Sequence, residues 1–178
     1  MSQEASFVDG PDGTRQPSGE GWFVTNLASA TWVRDERAGT FCTFEADDAH
    51  FADFGINVHV VEPGQANGLY HAESVQEAFL VLHGECTLLV EGEERRLVSG
   101  DFFHCPAGVW HVIVGSGEGS CAVLMVGRRE AGKTIQYAPN ELAAKHGASA
   151  SVETDQPRVA YADWPQTDTP TRGPWPFR

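Results

Sequence analysis

The chain is short of positive charge. Its 12 Lys and Arg stand against 25 Asp and Glu, for a formal net charge of −13 at pH 7. Such a field repels phosphate backbones and anionic lipid surfaces, so neither nucleic acid nor membrane is expected as a partner. Cysteine is scarce as well: Cys42, Cys86, Cys105 and Cys121 are widely spaced and include no CxxC pair. That pattern argues against a structural zinc knuckle and a disulfide-rich secreted scaffold, and reduced, buried thiols are the expectation. No run approaches the ~18 apolar residues that a membrane span needs. The opening stretch, MSQEASFVDGPDGTRQPSGEG, holds no apolar signal region, which points to a soluble, cytoplasmic protein. No internal repeat is evident, so a second copy of one fold within the chain is not expected.

What is present is β-type patterning. The 178 residues suit one domain with extensions, able to bury roughly 70% of the surface an unfolded chain exposes. Residues 1–20 are Gly, Ser, Pro and acidic residues without periodicity and read as a loose N-terminal arm. From Gly21 onward come short apolar runs between turn residues: GWFVTNLASATWV, GTFCTFE, GINVHVVEPG, EAFLVLHGE, CTLLVEGEERRLVSGD, FFHCPAGVWHVIVG and CAVLMVGRR. Many short strands at close spacing imply an all-β sandwich or barrel over 21–130. Glu91-Gly92 reads as a hairpin tip and Val98-Ser99-Gly100-Asp101 as the next turn. Segment 131–178 carries one short helix, PNELAAKHG, with Asn140 as N-cap, followed by an extended Pro-rich tail. In that tail Pro157, Pro165, Pro170, Pro174 and Pro176 alternate with Trp164, Trp175 and Phe177. It cannot form a central strand, and its aromatics are expected to pack on the barrel or a partner subunit.

Polar residues interrupt two of these runs. His71 and Glu73 share one strand face by the period of two, and a hairpin returns Glu77 beside them. His111 follows the Pro106-x-Gly108 turn, which can swing a further strand into the same barrel mouth. Singly, each is read more simply as a satisfied or solvated residue. Together they would place two carboxylates where burial is costly unless a cation neutralises them. A divalent metal held by His71, Glu73, Glu77 and His111 meets that need. Elsewhere, alternation allows only one of His104 and Cys105 to face inward. His59 lines the cavity or is exposed, and His50, His83 and His146 read as surface residues. Trp110, Phe79, Phe102 and Phe103 read as core, with one of them walling the pocket.

Two stretches resemble the motifs of the cupin superfamily. Its first motif runs Gly, five residues, His-x-His, three or four residues, Glu, six residues, Gly. His71, Glu73, Glu77 and Gly84 fall at those places, with Glu73 in place of the second His and the Pro63-Gly64 turn one residue early. The second motif runs Gly, five residues, Pro-x-Gly, two residues, His, three residues, Asn. Gly100, Pro106, Gly108 and His111 match, and Gly115 replaces the Asn. The resemblance covers about residues 54–128 and extends more loosely to single-domain bacterial cupins that continue into a helix and Pro-rich tail. It implies a jelly-roll β-barrel (double-stranded β-helix), a homodimer, and a metal at the mouth open to a small-molecule ligand.

Glu73 is then either a fourth ligand or the catalytic general base beside a His71, Glu77, His111 triad. As a ligand it would leave a divalent centre neutral and less Lewis-acidic than the family's three-His site, and would favour iron(II) or manganese(II) over zinc or nickel. The reactions in view are those of a dioxygenase, an isomerase or epimerase, or a decarboxylase. The alternatives are a non-catalytic small-ligand binder and a barrel with a vestigial site that assembles through its tail. Across the motif core, residues 54–128, the only Lys or Arg are Arg95, Arg96 and Arg128, the first two in a hairpin, so no clamp for a phosphorylated sugar is expected.

Overall fold

The computed structural model describes residues 3–10, 14–45, 48, 50–165 and 167–175. Residues 11–13 of the expected arm, and Pro176 and Phe177 of the tail, lie outside the described residues. In chain order the strands are β1 Ser6–Asp9, β2 Arg15–Ser18, β3 Thr31–Asp35, β4 Gly39–Thr43, β5 Phe54–Val61, β6 His71–Glu73 and β7 Glu77–His83, followed by β8 Glu85–Val90, β9 Glu93–Val98, β10 Phe102–Cys105, β11 His111–Gly115, β12 Cys121–Arg128 and β13 Ile135–Tyr137. Two short helices, α1 Glu141–Lys145 and α2 Pro157–Ala160, precede the last strand, β14 Thr169–Arg172. The fold is the all-β jelly roll, and none of its described helices is long and apolar enough to cross a membrane.

Two antiparallel sheets face each other, one ordered β10-β7-β12-β5-β4-β3-β14 and the other β13-β6-β11-β8-β9. Alternating apolar residues of both meet between them. Val61, Phe79, Val81, Val123 and Met125 from the first sheet pack with Cys86, Leu88 and Ile113 from the second. Their removal from water is the main driving force of the barrel. All four cysteines are free and buried, in keeping with their apolar settings. The Glu91-Gly92 tip is a two-residue turn with φ of 49° and 79°, the left-handed pair that matches strand twist.

The ends of the chain are more ordered than their composition suggests. Part of the expected loose arm forms a hairpin, with Ser6 opposite Ser18 and Asp9 opposite Arg15. Of the run over 21–33 only Thr31–Val33 lie in a strand, β3, and β14 of the tail pairs along its outer edge, Thr169 opposite Arg34. Pro170 is tolerated because β14 is itself an edge strand. The segment after the barrel thus joins both sheets, through β13 before α1 and β14 in the tail. Trp164 is buried beside Tyr161, and Trp175 packs on the Trp32, Cys42 and Val58 cluster. Asn140 caps α1 as expected, its Oδ1 accepting the Ala143 N–H at 2.9 Å, and α2 is an additional helix with Pro157 in its first turn.

Candidate metal centre

Three local devices bring the polar residues together. His71 opens β6 and lies directly opposite His111, the first residue of β11, so their rings stand 4.8 Å apart. Glu77 opens β7, opposite Gly127 of β12. The Pro106–Gly108 turn is docked by the Gly108 N–H, which donates to the Glu73 carbonyl at 2.7 Å, with Gly108 at φ 83°. That contact fixes where β11 starts, and hence where His111 points. Gly115, in place of the motif's asparagine, is explained by crowding: a Cβ there would lie 2.1 Å from the Glu62 carbonyl oxygen.

One donor atom from each of His71, Glu77 and His111 lies within 4.8 Å of the other two. The imidazoles are oriented from behind. His71 Nδ1 is 2.6 Å from the Leu69 carbonyl and His111 Nδ1 is 3.1 Å from that of Val109. A carbonyl only accepts, so each Nδ1 carries the proton and each Nε2 presents a lone pair. His111 Nε2 and Glu77 Oε2 are 3.4 Å apart, yet both are buried and neither has a hydrogen-bond partner. A lone pair facing a carboxylate is satisfied by a proton or a metal cation between them, and this donor set of two imidazoles and one carboxylate is one that suits a divalent ion.

Electrostatics agree with the geometry. Burial, with the nearby Glu73 charge, raises Glu77 to about 7, against an opposing effect of Lys133. Burial and the neighbouring His71 lower His111 to about 4, and burial lowers His71 as well. Both imidazoles are therefore held neutral, the form that ligates metal.

Glu73 does not join this trio. Its carboxylate oxygens lie 3.3 and 3.1 Å from Lys133 Nζ. Both residues line the cavity of about 240 Å³ in front of the three donors, together with Asn57, Asn67, Phe79, Met125 and Arg129. Two cations thus reach the pocket, each already paired with a carboxylate, so they do not make a free anion clamp. Lys133 and Arg129 follow directly on the motif core of residues 54–128, where GRREAGK is a basic cluster in an otherwise acidic chain. Arg129 is committed to Glu45 at 2.6 Å and to the Phe51 carbonyl at 2.8 Å. Asn67, which carried no sequence signal, accepts the Ile113 N–H at 2.8 Å and so ties the preceding loop to β11.

The remaining candidates separate. Cys105 is buried and His104 exposed. The Cys105 sulfur is 3.5 Å from His111 Nδ1, and burial pushes its thiol up to about 12, so it packs against the imidazole as an unreactive thiol. His59 is buried, beside Phe41, and does not line the cavity. His50 is exposed, while His83 and His146 are half-buried. Phe79 walls the pocket, Phe103 packs on the core, and Phe102 is exposed. Trp110 stacks on Tyr70 in a separate cluster.

The sequence profile of the Cupin domain family matches residues 57–127. Among solved structures, a sugar phosphate isomerase of the cupin superfamily from Silicibacter pomeroyi aligns at 22% identity over 79% of this chain and 87% of that one, with a TM-score of 0.54. A Cupin 2 conserved barrel domain protein from Salinispora arenicola aligns at 20% identity over 64% and 92%, with a TM-score of 0.50. A candidate sugar phosphate isomerase from Acidithiobacillus ferrooxidans aligns at 25% identity over 55% of this chain, TM-score 0.49, and the match spans 65% of that protein, just under two thirds of its length. Comparison with curated proteins returns no match.

Proposed function

Because residues 57–127 are a cupin domain, we propose that its mouth binds one divalent metal through His71, Glu77 and His111 and acts on a small oxygen-rich organic molecule held against that metal. The supporting observation is the pair of buried, unpartnered atoms, Glu77 Oε2 and His111 Nε2, aimed at each other. The metal, when bound, polarises a substrate oxygen and leaves coordination positions open for it. The protein's own residues orient the imidazoles through Leu69 and Val109 and wall the cavity with Phe79 and Met125. Glu73 offers a carboxylate at the same wall.

A carboxylate beside a Lewis acid suits proton transfer next to a carbonyl, which favours isomerase or epimerase chemistry over oxygen insertion. The sugar phosphate isomerase from Silicibacter pomeroyi belongs to that class; both cations at this cavity are already paired, Arg129 with Glu45 and Lys133 with Glu73, so the reading is for a hydroxy-carbonyl compound without a phosphate clamp. The test is metal analysis of protein purified without chelator, followed by incubation with hydroxy-aldehydes and hydroxy-ketones in deuterated water. One metal per chain and deuterium at the carbon next to the carbonyl are expected. Oxygen uptake without exchange would favour the dioxygenase reading. A loaded protein that binds these compounds without exchange would favour the non-catalytic binder.

A further inference from the structure

We infer that Lys133 is a positioning residue that holds Glu73 out of the metal's ligand set. This rests on the three-residue centre proposed above and adds which side chain decides its composition. Glu73 follows His71 on the same face of β6, at the place where a fourth donor would stand. Its neighbour on the sheet is β13, with Ile135 opposite Glu73. Two further bonds fasten the β13 approach to β6: Ser74 N–H donates to the Thr134 carbonyl at 2.9 Å, and Thr134 N–H donates to Ser74 Oγ at 2.8 Å. Lys133 N–H closes a turn onto the Glu130 carbonyl at 3.1 Å. Pinned on both sides, Lys133 has its ammonium delivered to both Glu73 oxygens, while the side chain of Glu73 is only 12% exposed.

The two carboxylates of the mouth therefore stand in opposite conditions. Glu77 has an oxygen without a partner, whereas Glu73 has its charge met by an ammonium. To ligate, Glu73 would have to leave Lys133. With the pair closed, a divalent ion faces one ligating carboxylate and the centre keeps a net positive charge. With Glu73 bound, the centre is neutral and one open position is lost. A half-exposed lysine outside the barrel strands thus sets both the Lewis acidity and the room left for substrate.

The probe is cobalt(II) alone, added to chelator-treated full-length protein, with affinity from chelator competition and coordination from the visible absorption spectrum. Lys133→Met releases Glu73 onto the metal, so affinity rises about tenfold and the spectrum changes. Lys133→Arg keeps the wild-type spectrum. The charge-conserving pair Lys133→Met with Glu73→Gln returns to within about threefold of wild type, because Glu73 was never a ligand. The proposal is overturned if Lys133→Met binds no more tightly than wild type. A loss of more than about thirtyfold in the charge-conserving pair also overturns it, since that would make Glu73 a resident ligand. Failure of wild type to take up cobalt overturns the three-residue centre itself, and this inference with it.

Discussion

Asp35 is a buried carboxylate and Glu77 a half-buried one whose Oε2 is out of reach of solvent, and the structure treats them in opposite ways. Asp35 Oδ1 accepts the N–H groups of Arg37 and Ala38 at 2.8 and 2.6 Å and the Trp164 indole at 3.2 Å, and Oδ2 accepts Thr167 Oγ1 at 3.1 Å. Burial alone would raise its pKa, but these donors outweigh burial and hold it below the ordinary carboxylate value. Glu77 is pushed the other way, to about 7, with an oxygen that has no donor. A carboxylate surrounded by donors is a structural clamp, here between β3 and the tail. One facing only lone pairs has been left for a cation.

If that contrast is right, substitutions at the two places separate binding from stability. The largest effect is expected from His111→Ala, which should lower metal affinity by on the order of 10³-fold, since roughly 10–16 kcal/mol is shared among the ligands of a structural zinc site. Isothermal titration checks it, and the metal-free fold should survive. Asp35→Ala should do the reverse, lowering unfolding stability by about 3–4 kcal/mol in urea titration with metal content unchanged. Comparable losses of metal in both variants would erase the distinction.

A pH series on metal-free protein sharpens it. Because Glu77 is raised in the folded state, its contribution is present below about 4.5 and is lost as pH rises through about 7. His111, lowered to about 4, acts in the opposite direction over much of the same range. The two must therefore be separated by difference: the stability of Glu77→Gln relative to wild type should grow by on the order of 3 kcal/mol between pH 4.5 and 8. A flat difference would mean that Glu77 is not strained. The smallest effect is expected from Thr167→Val, about 1–2 kcal/mol, from the lost hydrogen bond to Asp35 and the lost acceptor for the Glu36 N–H. Melting temperature should register it while cobalt titration does not.

The contrast also marks what could be read from the chain alone. His71, Glu77 and His111 were legible because strand alternation and a Pro-x-Gly turn are local devices, and their spacing survives in the linear order. The barrel, the Glu91-Gly92 turn and the Asn140 cap were legible for the same reason. Glu73 was legible as a residue of the mouth but not in its role, because its partner Lys133 lies 60 residues away and arrives through the β13 pairing. The Asp35 clamp was invisible: its indole comes from 129 residues away, in a tail whose prolines suggested only extended packing. The order of the N-terminal arm was missed because a four-residue polar hairpin has no apolar period to reveal it.

That same clamp has a consequence for how the molecule is made. Strand β3 is made long before the strand that covers its edge, β14, and before two of the donors to Asp35, Trp164 and Thr167. Until then the sheet presents an unpaired edge with Trp32 and Val58 beneath it, a surface suited to pairing with other nascent chains. Closing a loop of this length costs only slowly growing entropy, but contacts so distant in sequence form late. Chains that stop short of Thr169 should therefore aggregate even though every residue of the metal centre has already been made.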